Sequence, residues 1–210
     1  MSNKDSVSEG RVERKKKEMR QKIINVAMDL FKNQGFSQTT MEQIADETDI
    51  ARKTLYNYFP VKEAIVDEYV REISKELAKE TFDIIESLPD TKSRLLTALK
   101  NTYSWVEDNA EITGICINYR LRNMFKDMEG KKTETGTQSI LIKIIRMGQQ
   151  TGEIRSDISV RLLVAHLDIL RGSITFEWLN DSSSFDLNEE IAKMVDLFLY
   201  GASTSSLNSN

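Results

Sequence analysis

The sequence predicts an all-α protein of about nine helices, a small three-helix head followed by a larger antiparallel helical body. Three observations lead there. Apolar residues return at three- and four-residue spacing through most of the 210 positions, and no stretch alternates long enough to make a useful strand. Proline and glycine are scarce, at 2 and 9 residues, which suits long helices better than turn-rich sheets. Capping signals and breakers fall between the periodic segments.

Residues 18–33 align Ile23, Ile24, Ala27, Leu30 and Phe31 on one stripe, and Gly35 stops the helix. A second helix begins at Thr39 or Thr40, where Thr40 with Gln43 or Thr39 with Glu42 can form a capping box, and it runs to about residue 48. After Asp49 and Ile50 a third short helix covers 51–58. It ends ahead of Phe59-Pro60, because the residue preceding a proline is driven away from helical angles. A long helix over 62–87 offers Ala64, Ile65, Tyr69, Ile73, Leu77, Phe82 and Ile85 for burial, and Leu88-Pro89-Asp90 closes it. Further helices are expected over 92–107, 112–125, 140–150, 160–179 and 187–200, with polar connections at 126–137 and 180–186. The division this implies is a flexible basic arm (1–17), the head (18–64), the body (65–202) and a disordered tail (203–210).

Composition narrows the function classes. The single Cys116 rules out an internal disulfide, no Cys/His spacing supplies zinc ligands, and no metal or cofactor is expected. No run approaches the roughly eighteen apolar residues of a membrane span, and the N-terminus lacks an apolar leader, so the expectation is a cytoplasmic protein with no membrane partner. There is no G-x-S-x-G, no P-loop, no dinucleotide fingerprint and no histidine beside a plausible nucleophile, so catalysis is not expected.

Charge is unevenly spread. Through residue 62 there are 12 Lys and Arg against 9 Asp and Glu, a net of +3, while the remainder carries 17 against 24, a net of -7. A basic head on an acidic body suits a protein that neutralises phosphates at one end. The run Arg14-Lys15-Lys16-Lys17, with Arg11 and Arg20 nearby, reads equally as a phosphate-tracking arm and as a solvated tail.

Two short helices joined by a tight turn, with small Ala45 at their crossing and Ile44, Ile50 and Leu55 available for a core, suit a helix-turn-helix. The third helix carries Arg52, Lys53, Thr54, Tyr56, Asn57 and Tyr58, which supply donors for base edges and phosphates together with aromatic surface for thymine methyls.

The segments TTMEQIA, from Thr39 to Ala45, and TLYNYFPVKE, from Thr54 to Glu63, with Gly35-Phe36 ahead of them, resemble the head of the TetR family of regulators. The likeness spans about residues 20–65 and implies a homodimer on double-stranded operator DNA, controlled by an unknown small-molecule effector. It implies that Arg52, Lys53 and Tyr56 approach bases, that Thr40, Thr54, Tyr58 and Lys62 hold phosphates, that Asn57 does either, and that Leu55 and Phe59 are core. Two positions depart from the family pattern. Asp49 stands where glycine is usual in the turn, and Ala51 where Ser or Thr usually caps the recognition helix. A DNA-binding protein of the same fold, acting in chromosome organisation or through a protein partner, is the competing class.

The last two helices are apolar around much of their circumference. Leu162, Ile169, Ile174, Trp178, Met194 and Phe198 are the residues expected at a dimer interface, the other reading being burial within one subunit. For an effector the middle helices offer Trp105, Cys116, Tyr119 and Arg120, and the penultimate helix offers His166; each reads also as an ordinary packing residue. Arg120 and Arg122, if turned inward, need a carboxylate partner or an anionic ligand.

Overall fold

A computed structural model describes residues 3–123, 134–181 and 186–202, all helical or in short connections. Nine helices follow in order among the described residues: α1 (Asn3–Gln34), α2 (Met41–Thr48), α3 (Arg52–Tyr58), α4 (Lys62–Ser87), α5 (Thr91–Asp108), α6 (Ala110–Asn123), α7 (Gly136–Thr151), α8 (Val160–Asn180) and α9 (Leu187–Tyr200). No described helix is long and apolar enough to cross a membrane. The chain divides into two compact units, one comprising Met1–Val70 with Ile115–Lys126, the other Arg71–Gly114 with Asp127–Asn210.

The first unit is built on the stripe read from the sequence. Ile23, Ile24, Ala27 and Phe31 of α1 are buried, as are Ile44 and Ala45 of α2, Leu55 and Phe59 at α3, and Ile65 and Val66 of α4. α1 ends at Gly35, whose φ of +88° carries little cost without a Cβ. At its other end α1 reaches back to Asn3, so residues 10–17 continue the helix where the sequence led us to expect an arm. This unit also runs past the 64/65 division, because Asp67 of α4 meets α6: it accepts from Arg120 Nε at 2.5 Å and from the Cys116 thiol at 3.6 Å.

The second unit packs α5, α7, α8 and α9 with the C-terminal part of α4. Leu95, Leu99, Leu141, Ile144, Ile145, Leu167, Ile191 and Val195 are among its buried residues. α7 begins earlier than expected, at Gly136, because Thr135 and Gln138 form a reciprocal capping box that draws residues 136–139 into the helix. Most of the expected 126–137 loop lies outside the described residues.

Two sites hold this unit together in ways the periodicity did not reveal. Gly136 donates its N–H to Ser74 Oγ at 3.0 Å, and a Cβ in its place would fall inside the Ser74 carbonyl. Backbones approach that closely only where one residue has no side chain. Where the α4–α5 connection turns, buried Arg94 donates to the carbonyls of Ile85 and Leu88, while Glu153 accepts from the N–H of Thr91 at 2.6 Å. Arg94 thus closes the end of α4 and Glu153 the start of α5, satisfying main-chain groups that helix ends leave open.

Replacing Gly136 by Ala should lower stability by more than about 2 kcal/mol, since two rigid backbones must separate; denaturant unfolding checks this, and a midpoint unchanged from wild type would remove the close approach. The hydrogen bond from Thr91 N–H, then that from the Thr151 hydroxyl, hold the Glu153 carboxyl below its ordinary value. A depressed carboxylate contributes stability above the unfolded value, and that contribution is lost as pH falls through the folded one. Glu153→Ala should therefore cost about 1 kcal/mol near neutrality, and its melting temperature should begin to approach that of wild type only as pH falls below the ordinary glutamate value of about 4.3.

Candidate nucleic-acid interface

The turn between α2 and α3 places α3. Asp49 adopts φ 59° and ψ 49°, left-handed angles that aspartate tolerates better than most residues with a side chain. Around it the Ile50 N–H donates to the Ala45 carbonyl at 3.0 Å and the Asp49 N–H to that of Asp46 at 3.1 Å, a nested pair that closes α2 and redirects the chain. Aspartate thus does the work that glycine does in the family pattern. At the start of α3, Ala51 offers no side-chain cap, and its carbonyl begins the helix by accepting from Thr54 and Leu55. Of the two capping boxes open to α2, the structure forms Thr40 with Gln43. Thr39 is instead buried, its hydroxyl donating to the Gly35 carbonyl.

α3 is only seven residues long, and its two faces differ sharply. Leu55 and the following Phe59 are buried, whereas Arg52, Lys53, Tyr56 and Asn57 are exposed, Tyr56 by 45%. Residues at spacings of one, four and five share one side of a helix, so the four form a single polar and aromatic patch. Arg52 NH1 stands 3.9 Å from Glu42 Oε1, an exposed pair too weak to restrain it. Thr40 is exposed at the start of α2, while Thr54 and Tyr58 are half-buried at the margin of α3. Six of the eight residues expected to touch nucleic acid thus lie on one short helix, and Thr40 caps the helix before it.

Lys62 is different. Its ammonium donates to the carbonyls of Phe36 at 2.6 Å and Thr39 at 2.9 Å, and it sits 4.3 Å from the centre of the Phe36 ring. It ties the start of α4 to the α1–α2 connection within the head. Arg20 makes a second tie that sequence reading missed. Its guanidinium stacks 4.3 Å over Phe59, donates to the Tyr58 carbonyl at 3.3 Å and pairs with Glu68 at 3.1 Å. The signal was Arg20 standing on the helical stripe that buries Ile23, Ile24 and Ala27, where a charge needs partners.

The expected effector residues are scattered. Cys116, Tyr119 and Arg120 lie on α6 in the first unit, and Arg120 finds in Asp67 the carboxylate that an inward guanidinium needs; Arg122 is exposed. Trp105 packs against the core of the second unit. His166 is exposed on α8, where its neighbours Leu163 and Leu167 take the inward positions. Reading missed a cleft of about 480 Å³ in the second unit, lined by Phe82, Ile142, Lys143, Arg146 and Met147 among others. Lys143 there pairs with Glu86 and lies 4.9 Å from the Phe82 ring centre.

Of the residues expected at a dimer interface, Ile174, Trp178 and Met194 are buried in the second unit's own core, and Phe198 packs partly against it. Leu162 and Ile169 are exposed, by 49% and 70%, and Phe176 joins them at 50%. Helix α8 has apolar residues all round, and the pattern alone did not tell its two sides apart. The seven-residue step from Leu162 to Ile169 to Phe176 was the available clue.

A capped two-helix motif with a polar, aromatic-bearing second helix defines a helix-turn-helix DNA-binding protein. Residues 23–69 match the family model for bacterial regulatory proteins of the tetR family. The transcriptional repressor KstR2 of Rhodococcus jostii is 26% identical over 145 residues, covering 68% of this chain and 71% of the relative. The fatty acid metabolism regulator protein of Bacillus subtilis is 23% identical over 181 residues, covering 85% and 93%. Among solved structures, the Thermus thermophilus FadR repressor in complex with lauroyl-CoA superposes with a TM-score of 0.70 at 24% identity, covering 88% of this chain and 95% of that one. FadR of Bacillus subtilis in complex with stearoyl-CoA gives 0.60 at 21%, covering 87% and 99%. Residues 23–69 thus carry the head of the tetR family, and the chain as a whole is similar to DNA-binding transcriptional regulators of that family.

Removing the Lys62 ammonium should loosen the head. Lys62→Met should cost about 1.5–3 kcal/mol, the range for hydrogen bonds to a charged group, with little change in the salt dependence of DNA binding. Unchanged stability with a flatter salt dependence would return the residue to the phosphates.

Proposed function

We propose that the protein is a homodimeric repressor in which the α3 helices of two protomers read the halves of a palindromic operator, and in which a small molecule bound by the second unit releases the DNA. The observation that carries this reading is the exposed patch of Arg52, Lys53, Tyr56 and Asn57 on a helix anchored from behind by Leu55 and Phe59. Arg52 and Lys53 suit the acceptors of guanine, Asn57 the edge of adenine, and the Tyr56 ring a thymine methyl. Thr40, Thr54 and Tyr58 bring hydroxyls to the adjoining phosphates.

A reader of seven residues contacts one half-site, and a second protomer about 34 Å away supplies the other. The exposed Leu162, Ile169 and Phe176 of α8, with Leu197 and Tyr200 of α9, supply the apolar surface on which two copies can meet. For the effector, two similar solved structures hold lauroyl-CoA and stearoyl-CoA, which makes acyl-CoA thioesters the first compounds to test. The cleft lined by Phe82, Ile142 and Met147 with Lys143, Arg146 and Glu134 sets apolar surface beside charged groups and is the place in the second unit to test for such binding. Release follows if the effector favours the conformation that fits the operator less well.

Selection of preferred duplexes from a random pool should return a sequence with two-fold symmetry. On that duplex Tyr56→Ala or Lys53→Ala should weaken binding by about 1–3 kcal/mol for each lost base contact, read by titration against a scrambled duplex. Equal affinity of Tyr56→Ala and wild type for the selected duplex would take Tyr56 out of the recognition surface.

A further inference from the structure

α1 does not stop where the head stops. Its 32 residues run from Asn3 to Gln34, but its buried residues begin only at Ile23, and residues 10–18 are all exposed. At 1.5 Å per residue the segment from Gly10 to Arg20 projects about 15 Å beyond the packed head. It carries Arg11, Arg14, Lys15, Lys16 and Lys17 against only Glu13 and Glu18. Arg14 pairs loosely with Glu18 at 3.5 Å, both side chains being about two-thirds exposed or more. Screening leaves such a pair weak, so the cationic excess stays available.

The position of the projection is set by Lys22, whose ammonium donates to the Thr48 carbonyl at 2.7 Å. That carbonyl belongs to the last residue of α2, so α1 emerges from the head beside the turn that leads into α3. Helical periodicity places Arg11, Arg14 and Lys15 on the same side of α1 as Lys22. A helix with its side chains is about 10–12 Å across, and the minor groove of B-DNA is about 6 Å wide. The segment is therefore too thick to enter that groove as an extended arm would, and suits the outer ridge of phosphates.

We propose that the N-terminal extension of α1 is a second DNA-contacting element, which lies along the sugar-phosphate backbone flanking the half-site and neutralises it through Arg11, Arg14 and Lys15 without reading bases. The inference rests on α3 being the base-reading helix. It adds affinity, and a strong dependence on salt, at no change in sequence preference.

The test uses the full chain and its selected duplex, with binding measured between 50 and 200 mM salt on that duplex and on a scrambled one. Replacing Arg11, Arg14 and Lys15 together by Gln should lower the slope of log affinity against log salt by about 2–3, so that wild type loses about fortyfold more affinity than the variant across that range. The ratio between the two duplexes should stay as in wild type. Glu18→Pro is the second variant: it keeps every cation and removes a carboxylate, yet breaks the helix, and it too should flatten the slope. Wild-type slopes in both variants, with operator preference intact, overturn the extension and leave α3 as the reader. A flattened slope in a protein that prefers no duplex supports the extension and overturns the reading of α3. Wild-type slopes on DNA, together with loss of binding to phosphatidylserine vesicles in the Gln variant, assign the cations to a lipid surface and overturn the proposal.

Discussion

The reading surface depends on one backbone conformation. With Asp49 in left-handed angles, Ile50 and Asp49 close the end of α2, and the chain leaves in the direction that sets α3 across it. Leu55 and Phe59 then drop into the core made by α1, α2 and α4, and burial of each stabilises the arrangement by about 1.5–3 kcal/mol. Because those two residues fix the rotation of a seven-residue helix, Arg52, Lys53, Tyr56 and Asn57 have no orientation open to them but outward. A change of backbone at residue 49 would turn the whole patch.

Around that turn the head uses its cations in two ways, and the distinction is physical. Arg20 and Lys62 stand close to aromatic rings and main-chain carbonyls, where partial burial strengthens each hydrogen bond and fixes the side chain. Arg52, Lys53 and the α1 extension lie in open solvent, where their charge remains available to a polyanion. Equal formal charges thus divide into those that hold the reader and those that meet the ligand. The modest excess of +3 in the head conceals this division, since it counts both kinds alike.

Much of the head was legible because its signals are local. The Thr40–Gln43 capping box, the break at Phe59-Pro60, and the inward spacing of Ile44, Ala45 and Leu55 each depend on residues a few positions apart. The body was legible only as helices. In α8, Leu162, Leu163, Ile169, Leu170, Ile174 and Trp178 are alike in chemistry, yet Leu163 and Trp178 are buried while Leu162 and Ile169 are exposed. Hydrophobicity states that a residue can be buried, and only the neighbouring helices decide which ones are.

From the sequence alone came the all-helical class, the order of the helices, the helix-turn-helix and the residues of its polar face, because periodicity, caps and turns are properties of short stretches of chain. Tertiary structure decided that Lys62 bonds to the carbonyls of Phe36 and Thr39, that Arg120 pairs with Asp67, that Gly136 lets two backbones touch at Ser74, and that α1 continues as a charged rod past its own core. Each of these depends on what lies opposite a side chain in space. Partners separated by 53 or 62 positions, as Arg120 and Asp67 or Gly136 and Ser74 are, leave no mark on any window of sequence short enough to show a period.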